Sequence, residues 1–407
     1  MESEMKPVLR GIVALVVISV LFAVVAVTVG ATVTESTDGQ STIVSESNTT
    51  NYLSPATASG EQYQQVTLDA SSAATVAAQE IHNEHESRTF DRRLHAANES
   101  EQATIAQEQL DRIKNRFELF EQRQQELFNQ YSNGEITSET LIRELIALQG
   151  AIDAHADLLE RTEPHASPSD EFRIELETLV DAISVEQPVV ERMQQALVGT
   201  GEPATVYLQS ADSALVLASV NDGLYTRQAT LLDERDLTGT DQFGDDLSPG
   251  GYSEAQQRME ELYPWAYNLP DLQIGGDSLS VYSQIYQLGL THPHGELTTY
   301  FDGATRNVFH ENQYMPVNLV PTEAALSNST DAGTLTVDVT RETGPMRVTV
   351  EDEQGSPLET TVEVNEQRVG TTDEDGTLWT VQPTDGFEIT VTTADGETIT
   401  ADLSGEH

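Results

Sequence analysis

Three histidines are the side chains in this sequence that come nearest to the pattern of a metal site. His292 and His294 flank Pro293 in a predicted turn, and His310 follows on a predicted strand. Imidazole nitrogens are common zinc ligands, and three that converge leave a fourth position open for water or substrate. The sequence therefore raises an extracytoplasmic metal-dependent hydrolase as an alternative function. We favour the simpler interpretation, in which these are ordinary histidines near a turn.

A second histidine pair, His82 and His85, lies on a predicted helix. Its members are three residues apart, whereas a helical metal pair uses an i, i+4 spacing, as in H-E-x-x-H. The sequence has no cysteine, which excludes disulfides, thiol nucleophiles and cysteine-ligated zinc. It also lacks a Gly-x-Ser-x-Gly elbow, a Walker loop and a dinucleotide-binding fingerprint. We therefore predict a non-enzymatic protein with no catalytic residues, cofactor or bound metal.

Three further polar residues are expected to have structural roles. His155 falls on the apolar face of a predicted helix, where we expect a partly buried histidine with a hydrogen-bond partner rather than a ligand or a pH switch. Asp373 and Asp375 suggest calcium, but an EF-type loop needs more carboxylates at fixed spacing. We expect a turn held by aspartate and glycine instead.

Asn-x-Ser/Thr sequons predict glycosylation, which requires a segment that leaves the cytoplasm. The asparagines that would be modified are Asn48, Asn98 and Asn328. Because a three-residue sequon often occurs by chance, each is a candidate and not a defined site.

The charge balance is strongly acidic. The 407 residues include 68 acidic and 20 basic side chains, for a net charge of −48. Lys6 and Lys114 are the lysines, and arginine supplies the rest of the basic set. Mutual repulsion between so many carboxylates is screened at molar salt, where the Debye length is about 3 Å. The composition favours adaptation to high salt, as in haloarchaea, and excludes nucleic-acid binding, which needs a basic surface.

The most apolar stretch of the sequence is 11–33, which contains no charged residue. As a helix it would span about 35 Å, enough to cross a bilayer. Lys6 and Arg10 precede it, which favours a cytoplasmic tail at 1–10 and an extracellular remainder. We therefore predict a single-pass protein of the cell membrane with the lipid bilayer as a partner. The alternative is a secreted protein cleaved near Ala31.

The next two segments are predicted to be a flexible acidic stalk at 34–65 and a helical domain at 66–200. Within the helical domain, apolar residues at alternating steps of four and three predict a coiled-coil hairpin at 103–160, with Gln124 in the one polar slot. The seam of its first helix consists of Ala106, Leu110, Ile113, Phe117, Phe120, Leu127 and Tyr131. The seam of its second helix continues the same spacing with Leu141, Leu145, Leu148, Ile152 and Leu159. A break at Asn133-Gly134 makes the two helices antiparallel. This seam predicts self-association or an envelope protein partner.

At about residue 204 the hydrophobic period changes from helical to strand-like, which predicts a mixed α+β domain at 204–320. Its first strands, at 214–220 and 224–232, are predicted to form a hairpin around the tight turn Asn221-Asp222-Gly223. A short helix is followed by a strand meander whose last hairpin runs from Leu297 through Asp302-Gly303 to Val308. This arrangement resembles small modules of the PepSY type. The resemblance implies a role in regulating a protease.

Apolar and polar residues alternate through 331–407, which predicts a small antiparallel β-sandwich. The strand 348–350, the turn 355–358 and the Asp-rich turn 373–376 resemble the carboxypeptidase regulatory-like or transthyretin-like domain. The resemblance implies a seven-strand structural or adhesive module without catalytic residues of its own.

The predicted fold class is thus multidomain α+β, with a transmembrane helix, a helical domain, a mixed domain and a sandwich. The hairpin turn at Asn133-Gly134, the run 224–229 and the run 378–383 resemble an uncharacterised family of exported haloarchaeal proteins. From these features we predict a membrane-anchored extracytoplasmic envelope protein that acts as a non-enzymatic interaction, scaffold or sensor module.

Overall fold

The fold is described from a computed structural model that covers residues 43–165, 170–244, 250–269, 272–275, 284–384 and 386–403. The α-helices of this part are α1 (Ala70–Ala96), α2 (Glu99–Ser132), α3 (Ser138–Thr162), α4 (Asp170–Ile183), α5 (Pro188–Val198), α6 (Gly250–Leu262) and α7 (Pro264–Tyr267). The first ten strands are β1 (Ile43–Val44), β2 (Tyr52–Leu53), β3 (Gly60–Val66), β4 (Ala204–Ala211), β5 (Ala214–Asn221), β6 (Leu224–Leu231), β7 (Gln273–Gly275), β8 (Ile285–His292), β9 (Gly295–Asp302) and β10 (Val308–Pro316). The remaining strands are β11 (Glu323–Thr330), β12 (Gly333–Val339), β13 (Pro345–Glu351), β14 (Thr360–Val364), β15 (Gln367–Thr371), β16 (Thr377–Val381), β17 (Phe387–Thr393) and β18 (Thr398–Leu403).

The predicted membrane helix at 11–33 and the cleavage point at Ala31 lie outside the described residues. Among the helices that are described, none is both long and apolar enough to cross a membrane. The physical reason is charge, since α1, the second longest, carries Arg88, Arg92 and Arg93 within two turns. The fold class is therefore corrected by removing the membrane helix. The bilayer partner and the single-pass membrane location, which depended on it, are corrected with it.

An eight-stranded antiparallel sheet lies at the centre, in the order β3-β4-β5-β6-β10-β9-β8-β7. The turn between β5 and β6 has positive φ at Asp222 (50°) and Gly223 (73°). This is the primed-turn geometry whose twist matches that of the flanking strands. Pairing of β5 with β6 confirms the hairpin that the sequence predicts there. Side chains alternate between the two faces, so Arg227 and Ala229 point to one side and Gln228 and Thr230 to the other.

The described part of the predicted stalk, residues 43–65, is packed against the central sheet. β3 pairs with β4 at the edge of the central sheet. The segment 49–53 is buried and crosses the sheet near Glu311, whose side chain accepts a hydrogen bond from the Leu53 amide at 2.9 Å. Scattered apolar residues among serines and threonines gave no periodicity, yet long-range contacts with the sheet order this segment.

Helices α1 to α5 cover one face of the sheet. The capping box of Asn98 and Glu101 starts α2, and Thr137 caps α3 after the turn at Asn133-Gly134, so the antiparallel hairpin forms as predicted. The apolar seam of the hairpin is buried against other segments of the same chain. Leu127 and Leu141 pack on α5 and the sheet, whereas Ala106, Leu110, Ile113 and Phe117 pack with α1 and α4. Self-association through a coiled-coil seam was therefore a wrong prediction, because the apolar stripe is already covered.

The other face of the sheet is covered by α6, α7 and the segment 49–53. Ala255, Met259 and Tyr263 from the helices pack against strand residues such as Val216 and Leu288. The sheet thus has two separate cores, one on each face, and the mixed and helical regions share it.

The C-terminal region is a β-sandwich, as predicted. One sheet has the order β11-β12-β13-β16 and the other β15-β14-β17-β18. The eight strands exceed the seven implied by the transthyretin-like resemblance, and the sandwich begins at Glu323 rather than at residue 331. It is fixed to the central sheet: the Tyr225 hydroxyl donates to the Thr343 carbonyl at 2.6 Å, and Glu61 accepts from the Thr384 amide at 2.9 Å.

Candidate ligand-binding cleft

A cleft separates the helical hairpin from the central sheet. Its inner part, here called the inner cavity, has a volume of about 90 Å³. The walls are mostly apolar and come from α2, α3, the 183–190 region and the sheet. The apolar residues that define it are Phe120, Leu145, Leu148, Ile152, Val185, Val190, Leu232 and Phe309. Gln124, Gln149, Gln187, Thr230 and His310 add polar groups to the same walls.

A wider depression, here called the outer groove, opens to solvent beside the inner cavity and has a volume of about 710 Å³. Ile174 on α4 and Leu237 on the loop after β6 both line it. These are large apolar side chains that stay 38% and 60% exposed. Such apolar surface on a concave wall is typical of a binding site.

Four residues line both spaces, and the place where the two adjoin is here called the neck: Phe117, Glu121, Ala182 and Arg235. Arg235 Nη1 lies 3.0 Å from Glu121 Oε1, with side chains 18% and 34% exposed. The Arg235 guanidinium also lies over the Phe309 ring, 5.0 Å from its centroid. Burial raises the pKa of the Glu121 carboxyl, and the positive charge of Arg235 opposes that rise.

Arg235 has donors that the protein does not use. A guanidinium carries five N–H donors, and within the described part of the chain Arg235 donates one hydrogen bond, to Glu121. Its Nε is buried without an acceptor. The neck therefore holds a positive group with unused hydrogen-bonding capacity beside an apolar cavity.

Acidic residues outnumber basic residues in the lining of the outer groove. Lys114, one of the two lysines in the sequence, lies 2.7 Å from Glu175. Glu118, Asp236 and Asp302 add carboxylates to the same lining. Asp302 is 3% exposed, and burial raises its pKa. Because Lys114 and Arg235 are each paired with a glutamate, the groove has an excess of negative charge.

Thr230 and His310 form a buried pair at the floor of the inner cavity. Thr230 Oγ1 lies 2.8 Å from His310 Nδ1, and His310 Nε2 lies 2.9 Å from the Glu186 carbonyl, to which it must donate. A hydroxyl beside an imidazole resembles a nucleophile and its base. Burial, however, lowers the pKa of His310 to about 4. So weak a base is poorly matched to proton abstraction near neutral pH, and the pair is better explained as a satisfied core contact.

The three histidines considered for zinc do not converge. His292 Nδ1 accepts from the His294 amide at 3.2 Å, and Trp265 lies against both rings. His310 lies on the face of the sheet that α1 to α5 cover, where its Nδ1 is hydrogen-bonded to Thr230. The described residues contain no group of three His, Cys, Asp or Glu residues placed to hold a metal ion. The structure therefore gives no support to the hydrolase alternative.

The other polar residues singled out from the sequence have ordinary surroundings. His82 and His85 are exposed on α1, where His82 lies 3.6 Å from Glu86. His155 is partly buried with its Nδ1 2.6 Å from the Ala151 carbonyl, as predicted. Asp373 accepts hydrogen bonds from the Asp375 and Thr377 amides at 3.0 and 2.9 Å, which is the predicted turn.

The three sequons differ in how accessible they are, and glycosylation at each stays a prediction. Asn48 is exposed, but Thr50 of the same sequon is fully buried. Asn98 is exposed at the start of α2, where its side-chain oxygen caps the helix. Asn328 lies in β11 and donates to the Thr400 carbonyl at 2.6 Å, so a glycan on that nitrogen would remove a contact between the two sheets of the sandwich.

A second arginine–glutamate pair lies on the opposite face of the sheet and is fully buried. Arg227 Nη1 and Glu311 Oε1 are 3.1 Å apart, and both side chains are 0% exposed. Glu311 also accepts from the Tyr263 hydroxyl at 2.7 Å and from the Leu53 amide at 2.9 Å. Arg227 donates to the Leu53 carbonyl and to Thr343. The pair ties the segment 49–53, the start of α7 and the β12–β13 turn of the sandwich to the sheet.

Three family models match the chain. A domain of unknown function (DUF7096) matches residues 5–202, a family of unknown function (DUF7094) matches 206–321, and an archaeal fibronectin-III type-like domain matches 324–400. A search of curated proteins finds no match. These matches agree with an archaeal protein that has a sandwich at residues 324–400. They give a fibronectin-III-like description for the sandwich and a family of unknown function for the region likened to PepSY, and none of the three descriptions indicates an enzyme.

The cleft lies between the segments that two of these models match. Phe117, Glu121 and Ala182 belong to the first matched segment, and Arg235 and Phe309 to the second. The sheet also crosses the boundary, because β3 comes from the first segment and the other seven strands from the second or its border. The two segments of unknown function therefore build one site together.

Sequence reasoning interpreted several cleft residues as coiled-coil seam and did not identify the site. Phe120, Leu145, Leu148 and Ile152 have seam spacing, yet they line the inner cavity. A signal was present in Gln124, the one polar residue in the first helix's seam, which also lines the cavity. Arg235 and Leu237 gave no signal, because a loop residue acquires its neighbours only in the folded chain.

Proposed function

We propose that this chain is a non-enzymatic ligand-binding protein and that the cleft is where it binds. The observation that carries the proposal is an apolar cavity beside an open groove, with one ion pair among the four residues that line both. Concave, mostly apolar sites with a few convergent polar groups are typical of ligand binding. The fixed position of the sandwich against the sheet would hold the binding region and the fibronectin-III-like domain in one orientation.

Binding is supported over catalysis by the groups at the neck. Glu121 and Arg235 neutralise each other, and the Thr230–His310 pair is a weak acid–base couple at neutral pH. The matched family models name no enzyme. A protein of this kind recognises its ligand by shape and by a small number of hydrogen bonds.

Nile red, an uncharged fluorescent dye, tests whether the cleft accepts an apolar ligand. The folded protein in molar KCl is expected to bind about one dye per chain, with a rise in fluorescence. Ala182→Phe adds a ring at the neck, and Leu237→Asp places a charge on the groove wall. Each is expected to weaken dye binding about tenfold or more, because burying the dye against a filled neck or a carboxylate is unfavourable.

Matched controls keep this test decisive. Ala147→Phe makes the same change on an exposed position of α3, and Leu319→Asp makes it at a leucine that is 49% exposed away from the cleft. Both controls are expected to bind dye like the wild type. Far-ultraviolet circular dichroism confirms that each variant is folded. Absence of dye binding to the folded wild type, or equal binding by Leu237→Asp, would show that the cleft is not a binding site.

A further inference from the structure

The neck and the inner cavity also restrict what kind of molecule the cleft can take. This inference rests on the proposed function and concerns the chemistry of the ligand. Three features bear on it: the volume of the inner cavity, the unused donors of Arg235 and the charges of both signs around the neck. Each sets a separate requirement on the ligand.

Size sets the first requirement. A cavity of about 150 Å³ holds a benzene ring, which has six carbon atoms. In proportion, the inner cavity of about 90 Å³ holds roughly four carbon atoms. Leu148, Ile152 and Val190 supply aliphatic walls, so the part of the ligand that enters this space is a short aliphatic chain.

Hydrogen bonding sets the second requirement. Arg235 donates to Glu121, and no described residue accepts from its other N–H groups. A guanidinium can only donate, so it needs an acceptor atom on the ligand. A carbonyl or hydroxyl oxygen at the neck would provide one while its chain extends into the inner cavity.

Charge sets the third requirement. A ligand carboxylate at the neck would meet Glu121, with Glu118 and Asp302 in the adjoining groove, whereas a ligand ammonium would meet Arg235, with Lys114 in that groove. Either ion would leave water for a site whose charges are already paired, and desolvating an ion without a dedicated partner is costly. An uncharged acceptor avoids both penalties.

We propose that the cleft binds an uncharged aliphatic compound with one hydrogen-bond-accepting oxygen, such as an aliphatic amide, with the oxygen on Arg235 and a chain of about four carbons in the inner cavity. A longer ligand would have its remainder in the outer groove, between Ile174 and Leu237. The polar oxygen fixes the position of the ligand at the neck, and the chain supplies most of the affinity.

Methyl NMR titrations of the full-length protein in molar KCl at pH 7 test this assignment. Pentanamide, pentanoate and pentylammonium share one chain length and differ in head-group charge. Pentanamide is expected to bind about tenfold or more tightly than either ion, because it alone is spared the desolvation of a charge. Tighter or equal binding of an ion would overturn the proposal and would identify the charge that the site prefers.

Chain length provides an independent measurement on the same site. From acetamide to pentanamide each added carbon is expected to raise the affinity about fourfold, as for the burial of a methylene group. Beyond pentanamide the gain should end, because the inner cavity is full. A steady rise through octanamide would show that the chain lies in the open groove and not in the inner cavity.

The role of Arg235 is tested by Arg235→Met, with Arg123→Met as the matched control on the outer side of α2. Loss of one hydrogen bond is expected to weaken pentanamide binding roughly fivefold to tenfold, whereas Arg123→Met should bind pentanamide like the wild type. Unchanged pentanamide affinity would remove Arg235 from the site. If Nile red binds but the amide preference fails, this inference fails alone; if neither binds, the proposed function fails as well.

Discussion

Two arginine–glutamate pairs lie on opposite faces of the central sheet. They differ in solvent exposure, in the number of hydrogen bonds that the arginine donates and in whether they line a cavity. Arg227 and Glu311 are both 0% exposed, whereas Arg235 and Glu121 are 18% and 34% exposed. Arg227 donates to three acceptors on three segments. Arg235 donates to one and lines a cavity and a groove.

The comparison teaches that burial of a charge does not by itself indicate function. A buried ion pair is tolerated when every donor and acceptor is satisfied, and it then fixes the relative positions of the segments that supply it. Arg227 and Glu311 do this for the segment 49–53, α7 and the sandwich. A pair with unused donors beside empty apolar space is instead available to a ligand, and that describes Arg235.

The largest effect is expected from breaking the fully buried pair. Glu311→Gln leaves the Arg227 charge in the core without a counter-ion, which costs about 3–5 kcal/mol in buried pairs. We therefore expect the free energy of unfolding, measured by urea titration in molar KCl, to fall by about that amount. The segment 49–53 should also become accessible to protease, because Leu53 loses an acceptor for its amide.

A surface pair provides the control for that substitution. Arg347 and Asp338 are 2.7 Å apart and 41% and 14% exposed. Asp338→Asn is expected to change the free energy of unfolding by about 1 kcal/mol or less, as for other exposed pairs. A cost for Glu311→Gln no greater than that of Asp338→Asn would mean that the Arg227–Glu311 pair does not hold the segments together.

Much of the fold was predictable from the sequence, and the reasons are local. The change of period at residue 204 marked the start of the strands, Asp222-Gly223 marked a hairpin, and alternation marked the sandwich. These signals depend on neighbours within a few residues. The pairing of β3 with β4 was not predictable, because Gln62, Gln64 and Gln65 have no apolar period and gain their order from a strand more than 130 residues away.

The candidate site was less predictable than the fold. The seam pattern of α2 and α3 correctly predicted a hairpin but not what covers it. Phe120 and Leu148 were assigned to a helix–helix contact, and in the folded chain they line a cavity against Phe309. Spacing shows which residues share a face of a helix, whereas the identity of the opposing surface depends on how distant segments meet. The three histidines failed as a zinc site for the same reason.

Acid pH is expected to destabilise the fold through His310, which is buried on the face of the sheet that α1 to α5 cover. Burial lowers the pKa of His310 to about 4 from an ordinary value of 6.5, so the unfolded chain takes up a proton that the folded chain does not. Its contribution to stability is present above pH 6.5 and is lost as the pH falls to 4, at a cost of about 3 kcal/mol.

His310→Gln isolates the histidine contribution. Glutamine can still donate to the Glu186 carbonyl and accept from Thr230, but it does not titrate. Between pH 7 and pH 4 we expect this variant to lose about 3 kcal/mol less free energy of unfolding than the wild type. His82→Gln on the exposed face of α1 is the control and should lose as much as the wild type. Equal losses in all three proteins would mean that His310 does not stay neutral in the folded state.

The smallest stability effect is expected at the neck, and it is the sharpest test of the comparison. Glu121→Gln removes the partner of Arg235, but both side chains reach solvent, so the free energy of unfolding should change by about 1 kcal/mol or less. Burial already raises the pKa of Glu121, which means that its ionised form gains little from folding. Urea titration in the same molar KCl, beside Glu311→Gln, makes the two pairs directly comparable. A loss at Glu121 as large as the loss at Glu311 would make the neck pair a structural contact, and the unused donors of Arg235 would then no longer argue for a ligand.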